Sequence, residues 1–83
     1  MRNILITGGV GFIGTNFVKF LASKKNYKIV VIDKLGYASD KDNIINLIKE
    51  KKITFFKVDI NNSQKMYSIF KNFNIDTIVN FAA

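Results

Sequence analysis

Two spacings of apolar residues alternate along this chain. Asn3 to Thr7 (NILIT) is a short β-branched run stopped by Gly8-Gly9, which predicts a buried strand. From Phe12 to Lys25 the apolar residues Ile13, Phe17, Phe20 and Leu21 recur at helical spacing, predicting a helix with those four inward. Lys24, Lys25 and Asn26 suit its end. Lys28 to Asp33 (KIVVID) does not alternate, as expected of a strand covered on both faces. After a loop from Lys34 to Ser39, Asp40 can cap a helix over 41–50 with Ile44, Leu47 and Ile48 on one side. Ile53 to Val58 (ITFFKV) predicts a third strand whose Phe55 and Phe56 pack on opposite faces. Ser63 can cap a helix to Phe73 with Met66, Ile69, Phe70 and Phe73 inward, and Asp76 to Ala82 (DTIVNFA) predicts a fourth strand.

The pattern is βαβαβαβ. Strands alternating with helices of about ten residues imply an α/β fold with a parallel sheet. Right-handed crossovers then give the Rossmann-type strand order 3-2-1-4, the first two helices on one face and the third on the other. Residues 1–83 read as the N-terminal part of one dinucleotide-binding domain, with no internal linker or repeat beyond the βα unit. The domain reads as incomplete. One helix cannot cover the second face, and the fourth strand, with Ile78, Val79 and Phe81, has an open edge. The expectation is a truncated gene product or a fragment.

Composition narrows the chemistry. There is no cysteine and no histidine, so a disulfide framework, a thiolate metal site and the commonest general base are all excluded within the chain. The net charge of +7 raises the question of nucleic acid. The lysines are scattered, with small clusters at Lys24-Lys25 and Lys49 to Lys52, and Arg2 is the only arginine. Solvated lysine faces explain the charge, and no nucleic-acid partner is expected. No apolar run reaches the ~20 residues of a membrane span, and the N-terminal run is too short for a signal peptide. A cytoplasmic protein is expected. The sequon Asn61-Asn62-Ser63 reads as chance, with Ser63 used as a cap.

The strongest signal lies between the first strand and the first helix. Thr7-Gly8-Gly9-Val10-Gly11-Phe12-Ile13-Gly14 fits G-x-x-G-x-x-G through Gly8, Gly11 and Gly14, and G-x-G-x-x-G through Gly9, Gly11 and Gly14. Gly8 and Gly9 let the chain turn off the strand, Gly11 leaves no Cβ against a pyrophosphate, and Gly14 allows close helix–sheet packing. The helix start at Phe12 and Ile13 offers N–H groups and a partial positive charge to phosphates. Asp33 ends the second strand about 20 residues beyond the glycines, where a carboxylate can hold both ribose hydroxyls and disfavour a 2′-phosphate. NAD is therefore favoured over NADP, although the adjacent Lys34 pulls the other way. Without the glycines Asp33 would read as a plain strand-end carboxylate. Asp59 ends the third strand at the edge where ligands of open sheets bind, and with Ile60 it suits adenine better than its alternative, capping of the next turn. Ala82 and Ala83 are small enough for backbone to lie against a ribose, Phe81 suits core or cofactor wall, and Tyr37 suits surface or an adenine wall.

TGGVGFIG, Asp33 and NFAA at Asn80 to Ala83 together resemble the extended short-chain dehydrogenase/reductase family over essentially the whole chain. Asp33-Lys34-Leu35-Gly36-Tyr37-Ala38-Ser39 is most similar to the nucleotide-sugar 4,6-dehydratases of that family, which typically read D-K-L-T-Y-A-G; the 4-epimerases more often carry Asn after the aspartate. Gly36 and Ser39 depart from the pattern. The resemblance implies cofactor contacts from Leu35, Gly36 and Ser39 as well as those above. It implies an NAD enzyme acting on a nucleotide-linked glucose: hydride leaves C4, water is lost across C5 and C6, and the hydride returns to C6. It also implies a homodimer when full length. The family's Tyr-x-x-x-Lys couple and acid/base carboxylates fall in later sequence, so no catalytic residue is assigned here and the chain by itself is expected to be inactive. Tyr37 with Lys41 and Tyr67 with Lys71 fit that spacing but precede the expected place. The alternatives are a 4-epimerase and a non-catalytic dinucleotide-binding module.

Overall fold

The computed structural model describes residues 2–34 and 44–81. Their elements run β1 (Arg2–Thr7), α1 (Phe12–Ala22), β2 (Tyr27–Asp33), α2 (Ile45–Lys49), β3 (Thr54–Lys57), α3 (Ser63–Phe73) and β4 (Thr77–Asn80). The four strands form one sheet in the order β3-β2-β1-β4, and each neighbouring pair is parallel. All strands therefore end at one edge, called here the carboxyl edge, and begin at the opposite amino edge.

Burial follows position in the sheet. The central strands β1 and β2 are buried on both faces from Ile4 to Thr7 and from Ile29 to Asp33, which is why their sequences do not alternate. The outer strands β3 and β4 are only half-buried. On the α1/α2 face Ile4, Ile6, Ile29 and Val31 meet Val18, Leu21, Ile44 and Ile53, with Leu47 and Ile48 packed against them. On the α3 face Leu5, Val30 and Ile32 meet Val58 and Ile69, joined by Met66, Phe70 and Phe73. Phe55 packs into the first layer and Phe56 into the second, as the period of two requires. Each such buried aliphatic contributes roughly 1.5–3 kcal/mol of transfer free energy. Ile78 pairs with Leu5 in register yet is 55% exposed, so the α3 face is uncovered beside β4.

Three local expectations are corrected. First, α1 stops at Ala22 rather than Lys25. The amides of Ser23 and Lys24 turn back to Lys19, Phe20 and Leu21 carbonyls, and the Ser23 hydroxyl donates to the Phe20 carbonyl. Second, Ile13 and Phe20 are not inward; they are 67% and 58% exposed. The inward residues are Gly14, Thr15, Val18 and Leu21, with Phe17 at the margin. At about 100° per residue the sheet-facing arc runs from Phe17 to Thr15, and Ile13 and Phe20 lie roughly 40–60° beyond its Phe17 side. Third, α3 is capped by Asn62, whose side-chain oxygen accepts from the Lys65 amide at 3.2 Å; Ser63 is the first helical residue. Asn74 closes that helix in the left-handed region at φ 51°. The described part of α2 begins at Ile45, and the expected cap Asp40 lies outside the described residues. β4 ends at Asn80, although the Phe81 amide still donates to the Thr7 carbonyl at 2.7 Å.

Candidate functional site

The glycine turn sits at the carboxyl edge over the centre of the sheet. The Gly8 amide donates to the Ile32 carbonyl at 2.9 Å, which ties the end of β1 to the end of β2. Gly8 has φ 71°, a conformation that disfavours any side chain. A Cβ on Gly9 would stand 2.4 Å from Val31 Cγ1, and one on Gly14 would stand 2.3 Å from the Gly8 carbonyl oxygen. These three glycines are therefore required by the fold itself.

Gly11 is different. Its backbone is extended, with φ −73° and ψ 175°, and a Cβ there would meet only the Gly8 carbonyl oxygen at 3.6 Å, an ordinary contact. No packing constraint within the described residues calls for glycine at this position. What lies next to it is the start of α1. No side chain caps this helix and no acidic residue occupies its first turn. Its first backbone bond runs from the Thr15 amide to the Gly11 carbonyl at 2.8 Å, so the Phe12, Ile13 and Gly14 amides precede the ladder. Phe12 and Ile13 are exposed. Main chain without side-chain cover, beside helix-terminal amides that lie ahead of the helix ladder, suits an anion.

Asp33 is 6% exposed and lies against this turn. Its Oδ2 accepts from the Val10 amide at 3.4 Å, which places the carboxylate beside Gly11, and its carbonyl accepts from the Val58 amide at 3.1 Å. The first bond holds the side chain to the glycine turn; the second brings the end of β3 alongside. Asp59 follows directly on Val58, is exposed, and uses Oδ1 to accept from the Asn61 amide at 2.9 Å. That is the turn-capping role, and it leaves the adenine role unsupported by any contact. Ile60 is exposed next to it. Phe81 is half-buried, and its ring meets Phe17 edge-on with centroids 5.4 Å apart, so its side chain belongs to the core. Lys34 is exposed just past Asp33. Leu35, Gly36, Ser39, Ala82 and Ala83 lie outside the described residues, as do Tyr37 and Lys41.

Three contributors were not anticipated from sequence. Val10, fully buried, supplies the amide that holds Asp33. The Thr15 hydroxyl donates to the Gly9 carbonyl at 3.4 Å, fastening α1 to the turn. The Thr7 hydroxyl donates to the Asn80 side-chain oxygen and links β1 to β4 at the same edge. A signal for Val10 was present, since it is the apolar residue between Gly9 and Gly11, before the helix begins. Thr15 and Asn80 carried none. Tyr67 is exposed on the outer side of α3, so the Tyr67/Lys71 spacing is a surface coincidence. No group of acidic residues able to hold a metal occurs among the described residues.

A turn of this build, on a sheet of this order, matches a known group over nearly the whole chain: residues 5–83 fit the description GDP-mannose 4,6 dehydratase. The chain belongs to this family. It is 42% identical over 84 residues to a dTDP-D-glucose 4,6-dehydratase of Dictyostelium discoideum, covering 100% of this chain and 19% of that protein. The crystal structure of dTDP-glucose 4,6-dehydratase from Bacillus anthracis in complex with NAD superposes with TM-score 0.94 at 39% identity, covering 100% of this chain and 27% of that one. A UDP-Glc/GlcNAc 4-epimerase from Campylobacter jejuni superposes with TM-score 0.83 at 34% identity, covering 100% and 25%. The chain thus spans about a quarter or less of the length of these relatives. The similarity bears out the expected dehydratase family and its doubly wound fold. No helix among the described residues is long and apolar enough to cross a membrane.

Proposed function

We propose that this chain is the NAD-binding N-terminal part of a dTDP-glucose 4,6-dehydratase. The observation that carries the reading is Gly11. It is a glycine that packing within the described residues does not explain, at an uncapped helix start, with the Asp33 carboxylate held beside it. A pyrophosphate explains the missing Cβ, and a ribose diol explains the carboxylate at the tip of the next strand.

In this reading the Gly11, Phe12, Ile13 and Gly14 backbone binds the diphosphate, assisted by the partial positive charge of α1. Asp33 accepts from the adenosine ribose hydroxyls, and its negative charge repels a 2′-phosphate, so NAD is preferred over NADP. The Val10 amide fixes the direction of that carboxylate, and burial keeps water from competing for it. Lys34, Leu35, Gly36 and Ser39 contribute the adjoining loop contacts by family resemblance, as do Asp59 and Ile60 beside adenine and Phe81, Ala82 and Ala83 below the ribose. When bound, NAD supplies a hydride acceptor at the substrate sugar. The chemical steps on the nucleotide sugar need residues outside this chain. The full-length protein is read as a cytoplasmic homodimer that binds no nucleic acid.

Calorimetric titration with NAD and NADP tests the cofactor reading: NAD binds and NADP binds more weakly. Equal affinities, or no binding, overturn it. A 4-epimerase is the second reading, supported by the similarity to the Campylobacter jejuni enzyme. The dehydratase is preferred on the closer superposition with the Bacillus anthracis enzyme and on Lys34 after Asp33. Incubating the full-length protein with dTDP-glucose separates them. A dehydratase product is lighter by one water, whereas an epimerase product keeps the mass.

A further inference from the structure

Charge is concentrated at the end of the sheet opposite the glycine turn. Residues 23–26 and 50–53 join helix ends to strand starts at the amino edge, and they carry Lys24, Lys25, Lys51 and Lys52 with a single carboxylate, Glu50. This is a net of three positive charges on two adjoining connections. Cations at helix C-termini have an ordinary explanation, since each such end carries about half a negative charge. Two helix ends offset roughly one charge. Moreover, the last carbonyls of α1 are already occupied by the Ser23 and Lys24 amides and the Ser23 hydroxyl. Most of the positive charge is therefore left uncompensated by the fold. The only ion pair among the described residues is Lys52 with Glu50, at 3.5 Å and exposed on both sides.

The two connections also enclose a recess. A cavity of about 320 Å³ is lined by Lys24, Lys25, Lys52, Ser23 and Tyr27 over Ile29. Lys24 rests over the exposed Phe20 ring at 5.0 Å and Lys52 is shared with Glu50; both contacts are solvent-facing and weak, so either ammonium is free to turn to a stronger partner. We propose that this recess binds a small, multiply charged oxyanion of the oligophosphate class, independently of the dinucleotide at the carboxyl edge. Its size favours that class over a nucleic acid or a membrane plane, because neither can enter a recess this small. Arg2 is the only arginine in the chain, and Phe20, already under Lys24, is a single exposed ring rather than a row on which successive bases could stack.

The test is titration of the protein with tripolyphosphate, followed by amide chemical shifts and calorimetry, with NAD saturating. Expected are shifts confined to Ser23–Tyr27 and Lys52, loss of at least tenfold in affinity in the K25Q/K52Q variant, and unchanged affinity in a K57Q/K65Q control. Parallel titration with ATP separates a free from a nucleotide-borne source, and equal affinity shows that only the phosphates are read. The proposal is overturned by absent binding, by shifts at Gly8–Gly14, by displacement with NAD, or by equal weakening in the two variants. It is also overturned if a ten-nucleotide oligouridylate binds more tightly than tripolyphosphate.

Discussion

The two edges of the sheet are made from the same four strands and are closed in opposite ways. At the carboxyl edge the chain leaves β1 by removing side chains: Gly9 and Gly14 have no room for a Cβ, Gly8 takes a positive φ, and Gly11 lies bare. At the amino edge the chain enters its strands under cover of polar side chains. The Asn3 amide donates to Asp76 Oδ2 at 3.0 Å, its side-chain amide donates to the Asn74 carbonyl at 3.1 Å, and Arg2 donates to Thr77 at 3.2 Å. Where polar side chains close the edge, beside β1 and β4, they add stability and leave no main-chain donor bare. An edge with its side chains stripped away leaves main-chain donors facing outward, and that is what a phosphate needs. The comparison also explains why neither the 320 Å³ recess nor the 510 Å³ groove between β3 and α3 marks the glycine turn. A diphosphate lies on backbone at a helix start, and such a surface need not be a deep cavity.

Substitutions that confuse the two modes of closure should have the largest effects. Gly14→Val places a branched side chain where even a Cβ is 2.3 Å from a main-chain oxygen that cannot step aside. It should lower stability by about 3 kcal/mol or more and is read from the urea midpoint. Gly11→Val should do the reverse. Its Cβ has ordinary room, so the unfolding midpoint should move by less than about 1 kcal/mol, while NAD affinity drops at least 100-fold, or about 2.7 kcal/mol, by calorimetry. A large stability loss there would erase the distinction between Gly11 and its neighbours. Asp33→Asn should weaken NAD about tenfold and narrow its preference over NADP; an unchanged ratio would separate Asp33 from the ribose.

Around Asn74 and Asp76 the amino edge should respond in stability and not in NAD affinity. Asn74→Ala places at φ 51° a residue that tolerates the left-handed region less well than asparagine and should cost about 1 kcal/mol, with Asn74→Gly close to neutral and NAD binding the same in both. The smallest effect is in pH dependence. Hydrogen bonds from the Asn3 amide and the Thr77 hydroxyl, with help from Arg2, hold the Asp76 carboxyl below its ordinary 3.8. A depressed folded value means that the stabilisation is present above the unfolded value and is lost as pH falls from about 3.8 through the folded value. Asp76→Asn should therefore flatten that part of the acid unfolding curve and leave the neutral-pH cofactor affinity unchanged.

The glycine spacing, the two non-alternating central strands and the acidic tip of β2 were all readable, because each is a local requirement written in residue type. A run with no polar break is buried on both faces wherever it sits, and a left-handed turn asks for glycine whatever surrounds it. The cap of α3 was misread by one position, because Asn62 and Ser63 are both good caps and only the geometry of the Lys65 amide chooses between them. The rotation of α1 was misread for a deeper reason. Periodicity shows that a helix has an apolar side, but Phe12, Ile13, Phe17, Phe20 and Leu21 make that side too broad to fix its centre.

What the sequence determined by itself was the order of elements, the parallel sheet and the residue types at the turn, since these follow from short-range sterics and from burial that adds along a strand. Tertiary structure alone decided which way α1 faces, that the Val10 amide reaches Asp33, that Asp59 Oδ1 accepts from its own turn, and that lysines from two distant connections gather at one pole. Those outcomes depend on distances between segments that are remote in sequence. Such distances exist only once the crossovers have closed and the sheet has set the spacing between them.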